Sequence, residues 1–157
     1  MANKKIRQKK PASVLNRRAS FDYTLGDELT VGIVLRGIET RAARDGHVQL
    51  KGSYVNIKDN ELWLNNASFS LKINEKNQPN RTVDLTPRKL LASKKQIESL
   101  AKNRQAGYTV VPIKLLTGGR FIKLIIALGK GKKKYDKRET LKRKQASREA
   151  SRLIKNR

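Results

Sequence analysis

The final 28 residues, Lys130 to Arg157, confine any folded core to what precedes them. They carry 13 Lys and Arg against Asp136, Glu139 and Glu149, a net charge of +10. Apolar residues are too few and too scattered there to offset the ordering entropy of the backbone. The tail is therefore expected to be unstructured alone. Cations at this density are the electrostatic footprint of a polyphosphate partner.

The remaining charge is uneven. Residues 1–18 hold seven basic residues and no acid, whereas residues 19–129 hold 17 basic and 10 acidic. A near-ordinary body between cationic arms follows. We expect a basic arm over 1–13, a single RNA-binding body over 14–129 and a basic tail over 130–157. With no cysteine and only His47, thiolate and multi-histidine metal sites are excluded. Residues 1–18 lack the apolar stretch of a secretory signal. The longest strongly apolar run, Leu124 to Leu128, is far short of the ~20 residues that cross a bilayer. A soluble cytoplasmic protein with no membrane contact is expected.

Within the body the pattern is mostly that of strands. Phe21–Leu25 alternates, Gly26-Asp27 reads as a turn, and Leu29–Leu35 forms a second strand. Ser53–Lys58 and Glu61–Asn65 flank Asp59-Asn60, residues that tolerate positive φ, which predicts a hairpin. Phe69–Ile73 is a further strand, and Asn74–Thr86 reads as a polar loop. Tyr108–Leu116 and Arg120–Leu128 form the strongest pair. Pro112 cannot donate to a ladder, so a bulge or an unpaired edge is expected there.

Two helices interrupt the strands. Ser93 and Gln96 form a capping box before Ile97, Leu100 and Ala101, with Gly107 as the stop. A shorter helix over Ile38–Arg44 turns Ile38, Ala42 and Ala43 inward and Arg41 and Arg44 outward. The fold class is mainly β with peripheral α. It is a small antiparallel barrel of the oligonucleotide-binding type with two or three short helices and a tail helical only on binding.

Enzyme chemistry finds no footing. The stretch Leu128-Gly129-Lys130-Gly131-Lys132 lacks the spacing and the Lys-Ser/Thr ending of a phosphate loop. Asp27-Glu28 and Asp59/Glu61 sit where turns place solvated carboxylates. In the tail, Tyr135 lies among Lys132, Lys133, Lys134, Lys137 and Arg138. Its ring either stacks on an unpaired base or staples the following helix. Asp136 with Glu139 predicts a helix beginning near Lys137. Ala146, Ala150, Leu153 and Ile154 give that helix only a thin apolar stripe.

The run Gly129-Lys130-Gly131-Lys132-Lys133-Lys134-Tyr135-Asp136-Lys137-Arg138-Glu139-Thr140 resembles the C-terminal signature of the small protein B family. These are the SsrA-binding proteins that partner transfer-messenger RNA. Matching pieces follow in family order: Asn16-Arg17-Arg18-Ala19, Gly32 to Glu39, Ser53-Tyr54-Val55, Arg88-Lys89-Leu90-Leu91, and Gly107 to Pro112. The likeness spans 14–157. It departs at Thr30, where the family tends to have Glu. It departs also at Ala67–Leu71 and Val83–Arg88, which replace a His-Ile-Xaa-Pro-Tyr and an Asp-Pro-Xaa-Arg piece.

The resemblance implies an oligonucleotide-binding-like barrel, no enzymatic activity and no cofactor. The implied partners are transfer-messenger RNA and the stalled 70S ribosome, with the protein acting as a monomer. Its body would hold the tRNA-like domain of transfer-messenger RNA. Its tail would occupy the empty messenger channel near the decoding centre during trans-translation. Expected RNA-binding residues of the body are Asn16, Arg17, Glu39, Arg41, Arg44, Lys89, Leu91 and Lys123. Those of the tail, facing ribosomal RNA, are Lys130, Lys132, Lys133, Lys134, Tyr135, Asp136, Lys137 and Arg138. Without the family, Glu39 reads equally as a partner of Arg36 or Arg41, and Leu91 as core. Lys123 stands out on an apolar strand face, since its ammonium must reach water or phosphate. A structural ribosomal protein, its arms bound permanently to rRNA, is the competing reading.

Overall fold

The computed structural model describes residues 13–72 and 81–155. Residues 1–12 of the expected 1–13 arm, Ile73 and most of the predicted 74–86 loop lie outside that range, while Ser13 opens β1. The strands are β1 (Ser13–Leu15), β2 (Tyr23–Ile33), β3 (Val48–Gln49), β4 (Tyr54–Lys58) and β5 (Glu61–Asn65). They continue as β6 (Ser68–Lys72), β7 (Arg81–Asp84), β8 (Arg88–Leu91), β9 (Thr109–Leu116) and β10 (Lys123–Gly131). The helices are α1 (Ala19–Asp22), α2 (Gly37–Arg44), α3 (Lys94–Gln105) and α4 (Lys134–Lys155).

The main sheet runs β1-β9-β10-β2-β8-β5-β4, all antiparallel, and closes on itself where Val55 of β4 pairs with Val110 of β9. The result is the expected barrel. Inward residues alternate with outward ones, and Leu62, Leu64, Leu90, Leu115, Leu124 and Ile126 are sealed inside. A smaller sheet, β3-β6-β7, lies beside it and buries Val48, Phe69 and Leu71 with Ala42 and Ala43 of α2.

Local chemistry explains much of this. Asp59 and Asn60 adopt φ of 51° and 59°, the pair of positive values that a tight two-residue hairpin needs. Ser93 Oγ accepts the Gln96 N–H while Gln96 Oε1 accepts the Ser93 N–H, the predicted cap of α3. The bulge at Pro112 is present: Ile125 faces Lys114 but Ile126 faces Pro112, leaving Ile113 as the extra residue.

Four expectations change. Gly26-Asp27 is no turn but lies within the continuous strand β2. Glu28 pairs with Ala127 and Leu25 with Gly129, so Gly26 and Asp27 together oppose Leu128 as a second bulge. Phe21 and Asp22 belong to α1, not to a strand. Residues 81–84 of the predicted loop form β7, because Asp84 and Thr82 complete the edge beside Phe69 and Leu71. Ile38 stays partly exposed at 37%, since the inner face of α2 is taken by Glu39.

Glu39 meets Arg88, whose side chain is only 2% exposed. Arg88 Nε donates to Glu39 Oε1 at 2.9 Å, and Nη2 lies 2.8 Å from the same oxygen as an ion pair. Nη1 donates to Ala67 O and Thr86 O, and Nη2 also reaches Asp84 O at 3.3 Å. The guanidinium stacks 3.9 Å from the Phe69 ring centroid. Four of the five N–H groups of the fork thus have acceptors and the charge is paired with a carboxylate, the condition under which it tolerates burial. Burial alone would raise the Glu39 pKa. The Arg36 N–H and the two guanidinium groups overcome it and hold the carboxyl below the usual glutamate range.

Arg88→Met should destabilise the fold by about 3–5 kcal/mol in a denaturant titration, because it strands a buried carboxylate. The wild-type contribution is complete above the unfolded glutamate pKa. It drains away as pH falls through the lower folded value, so stability should decline on acidification, and less so in the variant.

Candidate nucleic-acid interface

Lys123, Gly32 and Leu91 stand in one row across β10, β2 and β8, since Lys123 pairs with Gly32 and Gly32 with Leu91. The middle position has no side chain. A Cβ on Gly32 would lie 3.2 Å from Leu91 Cβ, so glycine keeps a cleft of about 350 Å³ open there. Arg44 of α2 reaches over its edge and donates to Arg120 O at 3.1 Å, tying the helix to the β9–β10 loop. Phe121, 69% exposed, lines the same cleft with the Arg120 guanidinium 5.4 Å from its centroid. Leu91 is 53% exposed and so is not core.

The cleft gathers three of the expected body residues: Arg44, Leu91 and Lys123. It also contains Arg120 and Phe121, which sequence reasoning missed. Their signal was an aromatic beside a cation just after Gly118-Gly119, at a hairpin tip where a ring has no core to enter. Arg41 is exposed on α2 but does not line the cleft. Lys89 is engaged in an ion pair with Glu61 of the neighbouring strand.

Asn16 and Glu39 do not reach the surface. Asn16 is 6% exposed. Its Nδ2 donates to Pro112 O at 2.8 Å and its N–H to Ile113 O at 2.7 Å, so it supplies donors to the β9 bulge. Glu39 is held by Arg36 and Arg88, not by Arg41. Both are parts of the frame rather than of its surface. Arg17 is exposed on the opposite approach, beside the tail.

The tail leaves β10 after Gly131 and turns at once into α4, three residues earlier than Asp136 would begin it as a cap. Asp136 instead sits inside the first turn and accepts the Lys133 N–H at 3.1 Å. The root is fastened to α1. Lys132 N–H bonds to Asp22 O and Lys132 Nζ to Ser20 O, both at 2.9 Å. Lys137 Nζ lies 3.0 Å from Asp22 Oδ1, whose other oxygen takes Arg18 Nε at 3.0 Å. These bonds hold the first turn of a helix that sequence reasoning expected only on a partner.

Beyond the root, residues 141–152 are exposed all round. Lys130, Lys133 and Arg138 face solvent, and Lys134 opens the helix. Tyr135 is 73% exposed, so its ring staples nothing. Burial alone would raise the Asp22 pKa, but Lys137 and Arg18 hold the carboxyl below its ordinary range.

The sequence of residues 13–156 matches the family model described as SmpB protein. The chain is 46% identical over 145 residues to the SsrA-binding protein of Shouchella clausii, covering 90% of each. It is 39% identical over 155 residues to that of Staphylococcus carnosus, covering 98% of each. Among solved structures, a chain from "tmRNA-SmpB: a journey to the center of the bacterial ribosome" superposes with a TM-score of 0.59 at 33% identity. The match covers 79% of this chain and 87% of that one.

Asp22→Asn should loosen the root without unfolding the barrel. The pair is partly exposed and screened, so amide exchange across residues 132–140 should rise roughly two- to fivefold. Acidification through the depressed Asp22 pKa should do the same to the wild-type protein, the root being firm above the ordinary aspartate range.

Proposed function

Because the chain belongs to the SmpB family, we propose that it works as an adaptor between transfer-messenger RNA and the stalled ribosome, its Lys123 cleft gripping the RNA. It binds RNA and carries no catalytic step. The observation behind the site is the row Lys123–Gly32–Leu91 with Arg44, Arg120 and Phe121 around it. Cations there meet phosphates, and Phe121 and Leu91 offer apolar contact to a base splayed from a structured RNA elbow. The RNA partner is read by shape and backbone, as folded RNA generally requires.

The tail supplies the second stage. Lys133, Lys137 and Arg138 neutralise ribosomal phosphates while the exposed Tyr135 stacks on an unpaired base. Lys137 joins them only by exchanging Asp22 for a phosphate, so engagement of ribosomal RNA competes with the root contact. Work beside the ribosome fits a cytoplasmic protein. Among the described residues no helix is long and apolar enough to cross a membrane. Family membership does not favour the reading as a permanent ribosomal component.

Lys123→Glu should weaken binding to an isolated tRNA-like domain by about tenfold and lower the salt slope by about one, as for loss of a phosphate contact. Unchanged affinity across a salt series would remove the cleft from the interface. Truncation after Lys132 should preserve most of that affinity while abolishing peptide tagging on stalled ribosomes. Loss of all RNA binding on truncation would refute the division of labour.

A further inference from the structure

A second cleft, of about 530 Å³, shares no lining residue with the Lys123 cleft and lies where α4 leans over β1, α1 and the chain after β3. Its charged lining is entirely cationic: Arg17 and Arg18 before α1, Lys51 after β3, and Lys144 on α4. Among the described residues no carboxylate lines it. The floor is apolar, with Leu15 (55% exposed), Leu141 (54% exposed) and Phe21. The Arg18 guanidinium sits 5.1 Å from the Phe21 centroid, while Arg18 Nε is spent on Asp22. Arg17, Lys51 and Lys144 are exposed and carry the unbalanced charge.

We propose that this cleft is a binding site for one unpaired nucleotide of single-stranded RNA, shared between body and tail. The wall chemistry selects the occupant. A purely cationic rim suits a phosphodiester and repels an acidic-poor or cationic peptide. An apolar floor containing one aromatic ring suits the face of a base, which stacks regardless of sequence. A nucleotide held by Arg17 and Lys51 on the body and by Lys144 and Leu141 on α4 fixes the helix against the barrel. The site is therefore distinct from the Lys123 cleft, and it couples RNA capture to the setting of the tail. It deepens the adaptor reading above and rests on it for its RNA source.

The test uses the full-length protein with a uridine hexamer carrying 5-iodouridine, irradiated and mapped by peptide sequencing. The adduct is expected on Phe21, and it should vanish in Lys51→Glu/Lys144→Glu. Leu141→Asn, which leaves charge untouched on an exposed position, should weaken hexamer binding about three- to tenfold, the scale of a partial loss of base contact. Binding to the folded tRNA-like domain should stay within about twofold, since phosphate and base contacts elsewhere are intact. Adducts confined to Phe121 or Tyr135 would overturn the proposal. So would an abasic hexamer that binds as tightly as the uridine one, because the floor would then read nothing. A Lys123→Glu protein that keeps full affinity for the folded RNA yet gives the Phe21 adduct would instead sink the Lys123 cleft and leave this one standing.

Discussion

The Arg88–Glu39 pair is the interaction around which this molecule is organised. A guanidinium buried between an aromatic ring and a carboxylate has few tolerable arrangements, because each N–H needs an acceptor in a fixed direction. Here the acceptors come from α2, from the chain before β6, and from the turn between β7 and β8. One side chain thus locks the small sheet and α2 onto the barrel. Arg44 lies five residues beyond Glu39 on that helix, and Leu91 three residues beyond Arg88 on that strand. The cationic and apolar walls of the Lys123 cleft inherit their spacing from a contact that is itself buried.

The same logic separates family signature from contact. Asn16 and Glu39 belong to the pieces that resemble the family, and both prove to be buried braces. Asn16 steadies the bulge that Pro112 forces, and Glu39 orients Arg88. The residues available to a polyanion are their neighbours: Arg17 beside Asn16, Arg44 beyond Glu39.

Features settled by chemistry within a few residues were legible in the sequence. Asp59-Asn60 announces its hairpin through tolerance of positive φ, Ser93 and Gln96 cap each other, and Pro112 lacks the donor its ladder wants. Features settled by distant partners were not. Gly26-Asp27 looks like a turn until Leu128, about a hundred positions on, is seen opposite it. Arg88 gave no sign of burial, since its acceptors are spread from position 39 to position 86. The tail's cationic character was plain, but its anchorage depends on Asp22, which by itself reads as part of a strand. Of the Lys123 cleft, Lys123 and Arg44 were readable as charges needing solvent or phosphate. Phe121 and Arg120 carried a weaker signal after Gly118-Gly119, and the β9–β10 hairpin is what sets them in one cleft with Leu91.

The length of α4 has a mechanical meaning. Its 22 residues, at about 1.5 Å each, make an arm of roughly 33 Å. It is clamped at one end by Asp22 and exposed at every position from 145 to 152. A pivot of about 10° at the clamp would swing the far end by about 6 Å, more than the ~3.4 Å rise of one nucleotide along a strand. Small adjustments where helix meets barrel are thereby magnified into distances that matter for register on an RNA template.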